Sequence, residues 1–276
     1  MKKNISIIIG LLTASLSFGD IAVHSHRGEK SLAPENTVEA IKLAYDLGSL
    51  MIETDVNLTK EGHLVVMHGK RELKKYWGID KEVADLTLED LKNSKLACPQ
   101  EFDPKYANVK IPTFDEILKV IPKDKRFELE IKTYGDTFAD KAVEAIKKAG
   151  LTEKNVYITC FKPEVIKDFK KKYPQFKTMY ICYISKKNGK LTKTAEEIIA
   201  IAKDAGASEV AIGGYRNMDR AFVKKIQDAG FVVCVWQVEN LDDLDYAAQL
   251  GVNRVCSNYA YELRKAYKRI KELNFK

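Results

Sequence analysis

The chain has 276 residues, 45% hydrophobic and 31% charged. This supplies a sizeable core and excludes a disordered or collagen-like polymer. Length alone admits one or two domains, because α/β barrels commonly reach about 250 residues as one. A net charge of +7, spread along the chain rather than blocked, is too diffuse to argue for nucleic acid as a partner.

Residues 1–19 read as a secretory signal. Met1-Lys2-Lys3 is positive, Ile5 to Leu16 is apolar but softened by Ser6, Gly10, Thr13 and Ser15, and Ser17-Phe18-Gly19 offers small residues for cleavage. The apolar stretch is short and polar for a membrane span, which needs about 20 apolar residues. Cleavage after Gly19 would take 19 residues from 276 and leave 257, with two lysines lost and the charge reduced from +7 to +5. The expectation is an exported protein, periplasmic or secreted, whose residues 20–276 form a single domain. The five cysteines, Cys98, Cys160, Cys182, Cys234 and Cys256, are odd in number and lack CxxC spacing, so they read as buried free thiols.

From there strand-like runs alternate with amphipathic helices. In chain order the strands are IAVHSH, LMIETDV, LVVMH, FELEI, VYITC, TMYICYI, EVAIG, FVVCVW and RVCSN. The helices are Thr37 to Leu47, Phe114 to Val120, Thr137 to Lys148, Pro163 to Lys172, Ala195 to Asp204, Asp219 to Asp228 and Leu241 to Gln249. Such alternation means a parallel sheet covered by helices. Only Asn57 to His63 separates the second run from the third, too few residues for a helical crossover, so that pair should be a hairpin turning at Glu61-Gly62. Removing the hairpin return leaves eight parallel strands, a TIM (β/α)8 barrel. The predicted register sets 57 against 66 and 55 against 68, with Asp55 facing His68.

Gly69 to Ile111 is long for a strand-to-helix loop, carries a short helix around Thr87 to Lys92, and leaves from the catalytic rim. Its Tyr76 and Trp77 either pack the loop onto the barrel or stack on a head group. The final segment ELRKAYKRIKEL puts Leu263, Ala266, Tyr267, Ile270 and Leu273 on one helical face and Arg264, Lys265, Lys268, Arg269 and Lys271 mostly on others. It reads as a last helix packed on the barrel, with weak contact to an anionic membrane surface as the alternative.

The chemistry concentrates at strand ends. Glu53-Thr54-Asp55 closes the second strand, and residues at i and i+2 of a strand point the same way about 7 Å apart. In FELEIK, Glu128, Glu130 and Lys132 share one parity, so Glu130 can complete a three-carboxylate site with Lys132 above it. With no Cys or His at ligand spacing, that set suits one hard divalent cation, Mg²⁺ or Ca²⁺. His26 ends the first strand and His68 the third, which suits a general acid and a general base. His24 is one layer deeper and reads as buried and hydrogen-bonded. His63, in the hairpin turn, reads as exposed. Trp236 and Glu128 are candidate pocket residues.

HRGEKSLAPENTVEAI, IETDVNLTKEGHLVVMHG, ADLTLEDLK, KIPTFDEIL, FELEIK, ITCFKPEVI and VVCVWQVENLDDL resemble, in order, the motifs of the glycerophosphodiester phosphodiesterase family. The resemblance runs from about Val23 to about Tyr259 and implies a TIM barrel. It also implies a divalent metal on Glu53, Asp55 and Glu130, acid and base roles for His26 and His68, and a phosphate held by Arg27 and Lys132. The implied reaction is hydrolysis of a glycerophosphodiester, a small-molecule substrate, to glycerol 3-phosphate and an alcohol. The nucleophile is water or the neighbouring glycerol hydroxyl, the latter passing through a cyclic phosphate. Four positions depart from the usual pattern: Gly69 after His68, Gln237 after Trp236, Asn258 near the C-terminus, and Glu128. The His68-Gly69 pair is similar to sphingomyelinase D and phosphatidylinositol phospholipase C barrels. This keeps open a lysophospholipase D-like or cyclising activity, and the altered Gly69 and Asn258 keep open a barrel that binds glycerophosphodiesters without catalysis.

Overall fold

The computed structural model describes residues 21–274, with side chains to 269; the expected signal segment lies outside the described residues. All nine expected strands form. They are β1 Ala22–His26, β2 Met51–Leu58, β3 Leu64–Val66, β4 Arg126–Ile131, β5 Val156–Cys160 and β6 Lys177–Tyr183. After the small hairpin β7 Lys186–Lys187 and β8 Lys190–Leu191 come β9 Glu209–Gly213, β10 Val232–Trp236 and β11 Arg254–Ser257. The hairpin β7–β8, absent from the expected elements, turns at Asn188-Gly189, both at positive φ, as the favoured two-residue hairpin turn demands.

β1 pairs with both β11 and β2, so β1, β2, β4, β5, β6, β9, β10 and β11 close into an eight-stranded parallel barrel with β3 as an antiparallel appendage of β2. The fold is a TIM barrel. The period of two along each strand separates two cores. Tyr180, Cys182, Val210, Ile212, Val233 and Val235 point outward under the helices. Met179, Ile181, Ala211, Cys234 and Cys256 point inward.

The covering helices are α1 Val38–Asp46, α4 Phe114–Leu118, α5 Phe138–Lys148, α6 Pro163–Lys172, α7 Ala195–Asp204, α8 Arg220–Asp228 and α9 Leu241–Leu250. Each is within two residues of its expected bounds. Thr113 with Glu116 and Thr194 with Glu197 close capping boxes at α4 and α7, which fixes where those helices start.

Three expectations need correction. The hairpin register is one residue off: Val56 opposes Val66 and Leu58 opposes Leu64, so Asp55 stands opposite Met67, whose N–H donates to the Asp55 carbonyl at 3.0 Å. The cause is a three-residue turn, Lys60-Glu61-Gly62, with Gly62 left-handed at φ 77° and its N–H donating to the Thr59 carbonyl. This is a tight turn followed by a left-handed residue rather than a two-residue loop.

The 69–111 segment contains a further helix, α2 Lys70–Trp77, before α3 Leu88–Asn93. It is a packed layer of its own: Leu73, Trp77, Leu91, Tyr106 and Ile111 bury against Val65 and Met67. Trp77 is 6% exposed, which leaves it packing the loop onto the barrel rather than facing a ligand.

In the last helix, α10 Ala260–Asn274, Leu263 joins the core. Arg264 turns inward, with Nη1 3.3 Å from Ser25 Oγ and Nη2 3.5 Å from Glu29 Oε2. It is therefore not part of an exposed basic face. All five cysteines are buried and free.

Candidate active site

Alternate residues of β1, β2 and β4 face the barrel interior, and the register sets His26 beside Glu53, Glu53 beside Glu128, and Asp55 beside Glu130. Glu53, Asp55 and Glu130 are all buried, and each offers an oxygen within 4.8 Å of the others. Glu53 Oε1 and Asp55 Oδ1 have no hydrogen-bond partner. A buried carboxylate oxygen left without a donor is costly, and three such groups converging in a low-dielectric interior require positive charge.

The chain supplies part of that charge. Arg27 Nε lies 2.9 Å from Asp55 Oδ2, and Lys132 Nζ lies 2.7 Å from Glu130 Oε1 and 3.5 Å from Asp55 Oδ1. Burial alone would raise Asp55, but Arg27 and Lys132 hold it well below the usual carboxylate range. Glu53 goes the other way: burial first, then the neighbouring Asp55 and Glu130 charges, push it well above its ordinary value. Burial and Asp55 raise Glu130 as well, against the pull of Lys132. The all-oxygen donor set and its two orphaned oxygens fit a hard divalent cation.

The two histidines flank this cluster. His26 Nε2 is 3.7 Å from Glu53 Oε2. Its Nδ1 is 2.6 Å from Asn258 Oδ1, and Asn258 Nδ2 donates to Glu239 Oε1 at 2.7 Å. Because Glu239 accepts from the amide nitrogen, the amide oxygen is what faces His26. The Gln237 amide nitrogen lies 2.7 Å from the same Nδ1. Burial, with Arg27 and Lys30, holds His26 well below its ordinary pKa, so its neutral form dominates. His68 Nδ1 is 2.6 Å from Glu72 Oε2, four residues on in α2. That carboxylate is held well below its usual range, with its burial outweighed by His68 and Arg71.

Arg27 is buried, and its guanidinium is shared among carboxylates: Nη1 donates to Glu35 Oε1 at 2.6 Å and lies 3.6 Å from Glu72 Oε1. Its backbone is left-handed (φ 58°), as is that of Asn36 (φ 58°). The Asn36 N–H donates to the Arg27 carbonyl at 3.0 Å, and its Nδ2 donates to Asp55 Oδ2 at 2.8 Å. Gly28 sits between them because a Cβ there would stand 2.7 Å from the Ala40 carbonyl carbon. Thus the PENT segment braces the site through Glu35 and Asn36, residues that carried no assigned role in the sequence analysis. Their signal was an Asn able to adopt left-handed backbone next to a buried Glu. The Glu72 signal was its i+4 spacing from His68. Glu239 carried no local signal, since it reaches His26 only through Asn258.

A cavity of about 260 Å³ opens at this rim. One wall is charged, with His26, His68, Arg27 and Lys132, and the other is apolar, with Ile181, Ala211 and Trp236. Trp236 therefore lines the pocket, as expected. It meets Phe161 edge-on at 5.7 Å and Tyr183 at 6.2 Å between ring centroids. Gly213 makes room for it, since a Cβ there would stand 2.7 Å from both Trp236 and Tyr183. Glu128 lies at the cavity floor, 1% exposed, its Oε1 accepting from Arg254 Nη1 at 2.9 Å. His24 is 2% exposed, with Nε2 paired to Glu128 Oε2 at 3.4 Å and Nδ1 without a hydrogen-bond partner. His63 is exposed.

A closed (β/α)8 barrel with titratable groups gathered at the C-terminal ends of its strands defines a TIM-barrel enzyme. Residues 26–261 match the model of the glycerophosphoryl diester phosphodiesterase family, and the chain belongs to that family. It is 38% identical to a glycerophosphodiester phosphodiesterase of Caldanaerobacter subterraneus over 86% of this chain and 93% of that protein. It is 26% identical to one of Bacillus subtilis over 91% and 89%. An Oleispira antarctica phosphodiesterase solved in complex with sn-glycerol-3-phosphate shares the fold at a TM-score of 0.77 and 22% identity, covering 89% of this chain and 96% of that one.

Proposed function

We propose that the chain hydrolyses glycerophosphodiesters to glycerol 3-phosphate and an alcohol, with His26 and His68 as the acid/base pair. One divalent metal, Mg²⁺ or Ca²⁺, would be held by Glu53, Asp55 and Glu130. The observation that carries this reading is the convergence of three buried carboxylates within 4.8 Å beside two imidazoles, in a chain of this family. A divalent ion bound there supplies a charge that neutralises the phosphodiester anion.

The protein side of the chemistry follows from the geometry. Lys132 and Arg27 add positive potential where charge grows in the transition state. His26, kept neutral by burial and the nearby cations, is the group able to take a proton from the attacking hydroxyl. His68, its Nδ1 held by Glu72, is placed to give one to the departing alkoxide. Phe161, 42% exposed, and Tyr183, 56% exposed, flank the mouth with Trp236, where an apolar or quaternary ammonium alcohol would be favoured. That aromatic rim is the feature favouring the second reading, a lysophospholipase D-like activity.

The test is product analysis by phosphorus NMR. Glycerophosphocholine, glycerophosphoethanolamine, glycerophosphoinositol and lysophosphatidylcholine are each incubated with Mg²⁺, Ca²⁺ or chelator. Metal-dependent release of glycerol 3-phosphate supports hydrolysis, and a cyclic phosphate supports the glycerol hydroxyl as nucleophile. Binding without turnover would sink the enzymatic reading. His26→Ala and His68→Ala should each abolish turnover while metal affinity is retained. Export by residues 1–19 belongs to the same proposal, and N-terminal sequencing of the mature protein should begin at Asp20. The exposed Lys265, Lys268 and Arg269 would add weak, salt-sensitive contact with anionic vesicles.

A further inference from the structure

The floor of the cavity holds a group that the acid/base chemistry does not use. His24 lines the cavity one layer below His26, about 7 Å along the strand. It is 2% exposed, and its Nδ1 has no hydrogen-bond partner. Nε2 pairs with Glu128 Oε2 at 3.4 Å, and Glu128 is anchored from behind by Arg254. Around them the lower wall is apolar: Met179, Ala211, Cys234 and Cys256. A buried ring nitrogen left unpaired in such surroundings is costly, and a ligand hydroxyl, donor and acceptor at once, would satisfy it.

We propose that the His24–Glu128 pair is a specificity site that hydrogen-bonds a hydroxyl of the substrate's polyol moiety while the phosphate occupies the rim. This rests on the glycerophosphodiester reading above and deepens it: the barrel floor selects polyol phosphoesters over phosphoesters whose substituent lacks hydroxyls. The chemistry matches the asymmetry of hydrogen-bonded pockets, which discriminate against ligands that leave a buried polar group unpaired far better than apolar pockets discriminate by size.

The test compares binding of sn-glycerol 3-phosphate and methyl phosphate by titration calorimetry in the presence of Mg²⁺. The proteins are the wild-type chain, the apolar variants His24→Leu and His24→Phe, and His24→Asn, which keeps hydrogen-bonding capacity. Glycerophosphocholine turnover is followed in parallel. The wild type should prefer glycerol 3-phosphate by about tenfold or more. The apolar variants should lose that preference with methyl phosphate affinity unchanged within about twofold, and His24→Asn should retain part of it. Where one apolar variant fails to fold, the other carries the comparison; where both fail, a His24→Asn protein with the full wild-type preference speaks against the site and a reduced preference supports it. A preference that survives in the apolar variants, or equal weakening for both ligands, overturns the proposal. A wild type that shows the preference yet turns over no glycerophosphocholine would instead overturn the hydrolytic reading alone.

Discussion

Replacing Arg254 by Met removes the cation on which the barrel floor depends. Arg254 is 8% exposed. Its Nη1 lies 2.9 Å from Glu128 Oε1, its Nη2 pairs with Glu209, and the same two nitrogens reach the Met51 and Met179 sulfurs; Met keeps the aliphatic stem and removes the charge. The electrostatic loss falls on Glu128. Burial would raise that carboxyl, but His24 and Arg254 bring it from 4.5 down to about 2, a difference worth about 3 kcal/mol in folding free energy that Arg254 shares with His24. Glu209, by contrast, stays above its ordinary value because burial outweighs Arg254, so it adds little to this figure. About 3 kcal/mol also agrees with the 3–5 kcal/mol typical of breaking a buried pair from one side.

The sign of the pH dependence follows from the depressed Glu128. Its contribution is fully present above pH 4.5 and is lost as pH falls toward about 2. In Arg254→Met that contribution is weakened, so the stability gap from wild type should hold from pH 7 down to about pH 4.5 and narrow as the pH falls from there toward about 2. Urea unfolding followed by circular dichroism should show a midpoint lowered by about 1 M at pH 7. Adding Glu128→Gln should recover part of that loss. An unchanged midpoint at pH 7, or a gap that persists undiminished at about pH 3, would refute this reasoning.

Asp55→Asn should weaken Mg²⁺ or Ca²⁺ binding by at least about tenfold, because it removes a charge from the carboxylate cluster; calorimetry showing wild-type affinity would exclude the cluster as the metal site. In the folded protein all five thiols should resist a disulfide reagent at pH 8, since all are buried and burial pushes Cys160 to about 11 and Cys182 to about 12; all five should react in guanidinium. Gly28→Ala should cost about 3 kcal/mol or more, combining left-handed backbone at φ 81° with a Cβ 2.7 Å from Ala40; a melting temperature within about 2 °C of wild type would contradict that.

The barrel was legible because its signals are local. Alternating strand and helix periods and a connection too short for a crossover both lie within a few residues of what they determine. The hairpin shows where such reasoning fails: whether Gly62 closes a two- or three-residue turn depends on backbone angles, and one residue of error moved Asp55 from opposite His68 to opposite Met67. The carboxylate cluster survived that error because β2 and β4 pair in parallel, and the shared parity of Glu53, Asp55 and Glu130 is set by their own strands. The supports of the histidines were harder to read. Glu72 is four residues from His68, but Asn258 is 232 residues from His26, and only closure of the barrel between β1 and β11 brings them together. For the same reason the pairing of His24 with Glu128 was not legible, since only closure places the two beside Arg254 from β11. Charge at the barrel floor therefore has to be judged as a group, and that group links stability, through Arg254, to ligand choice, through His24.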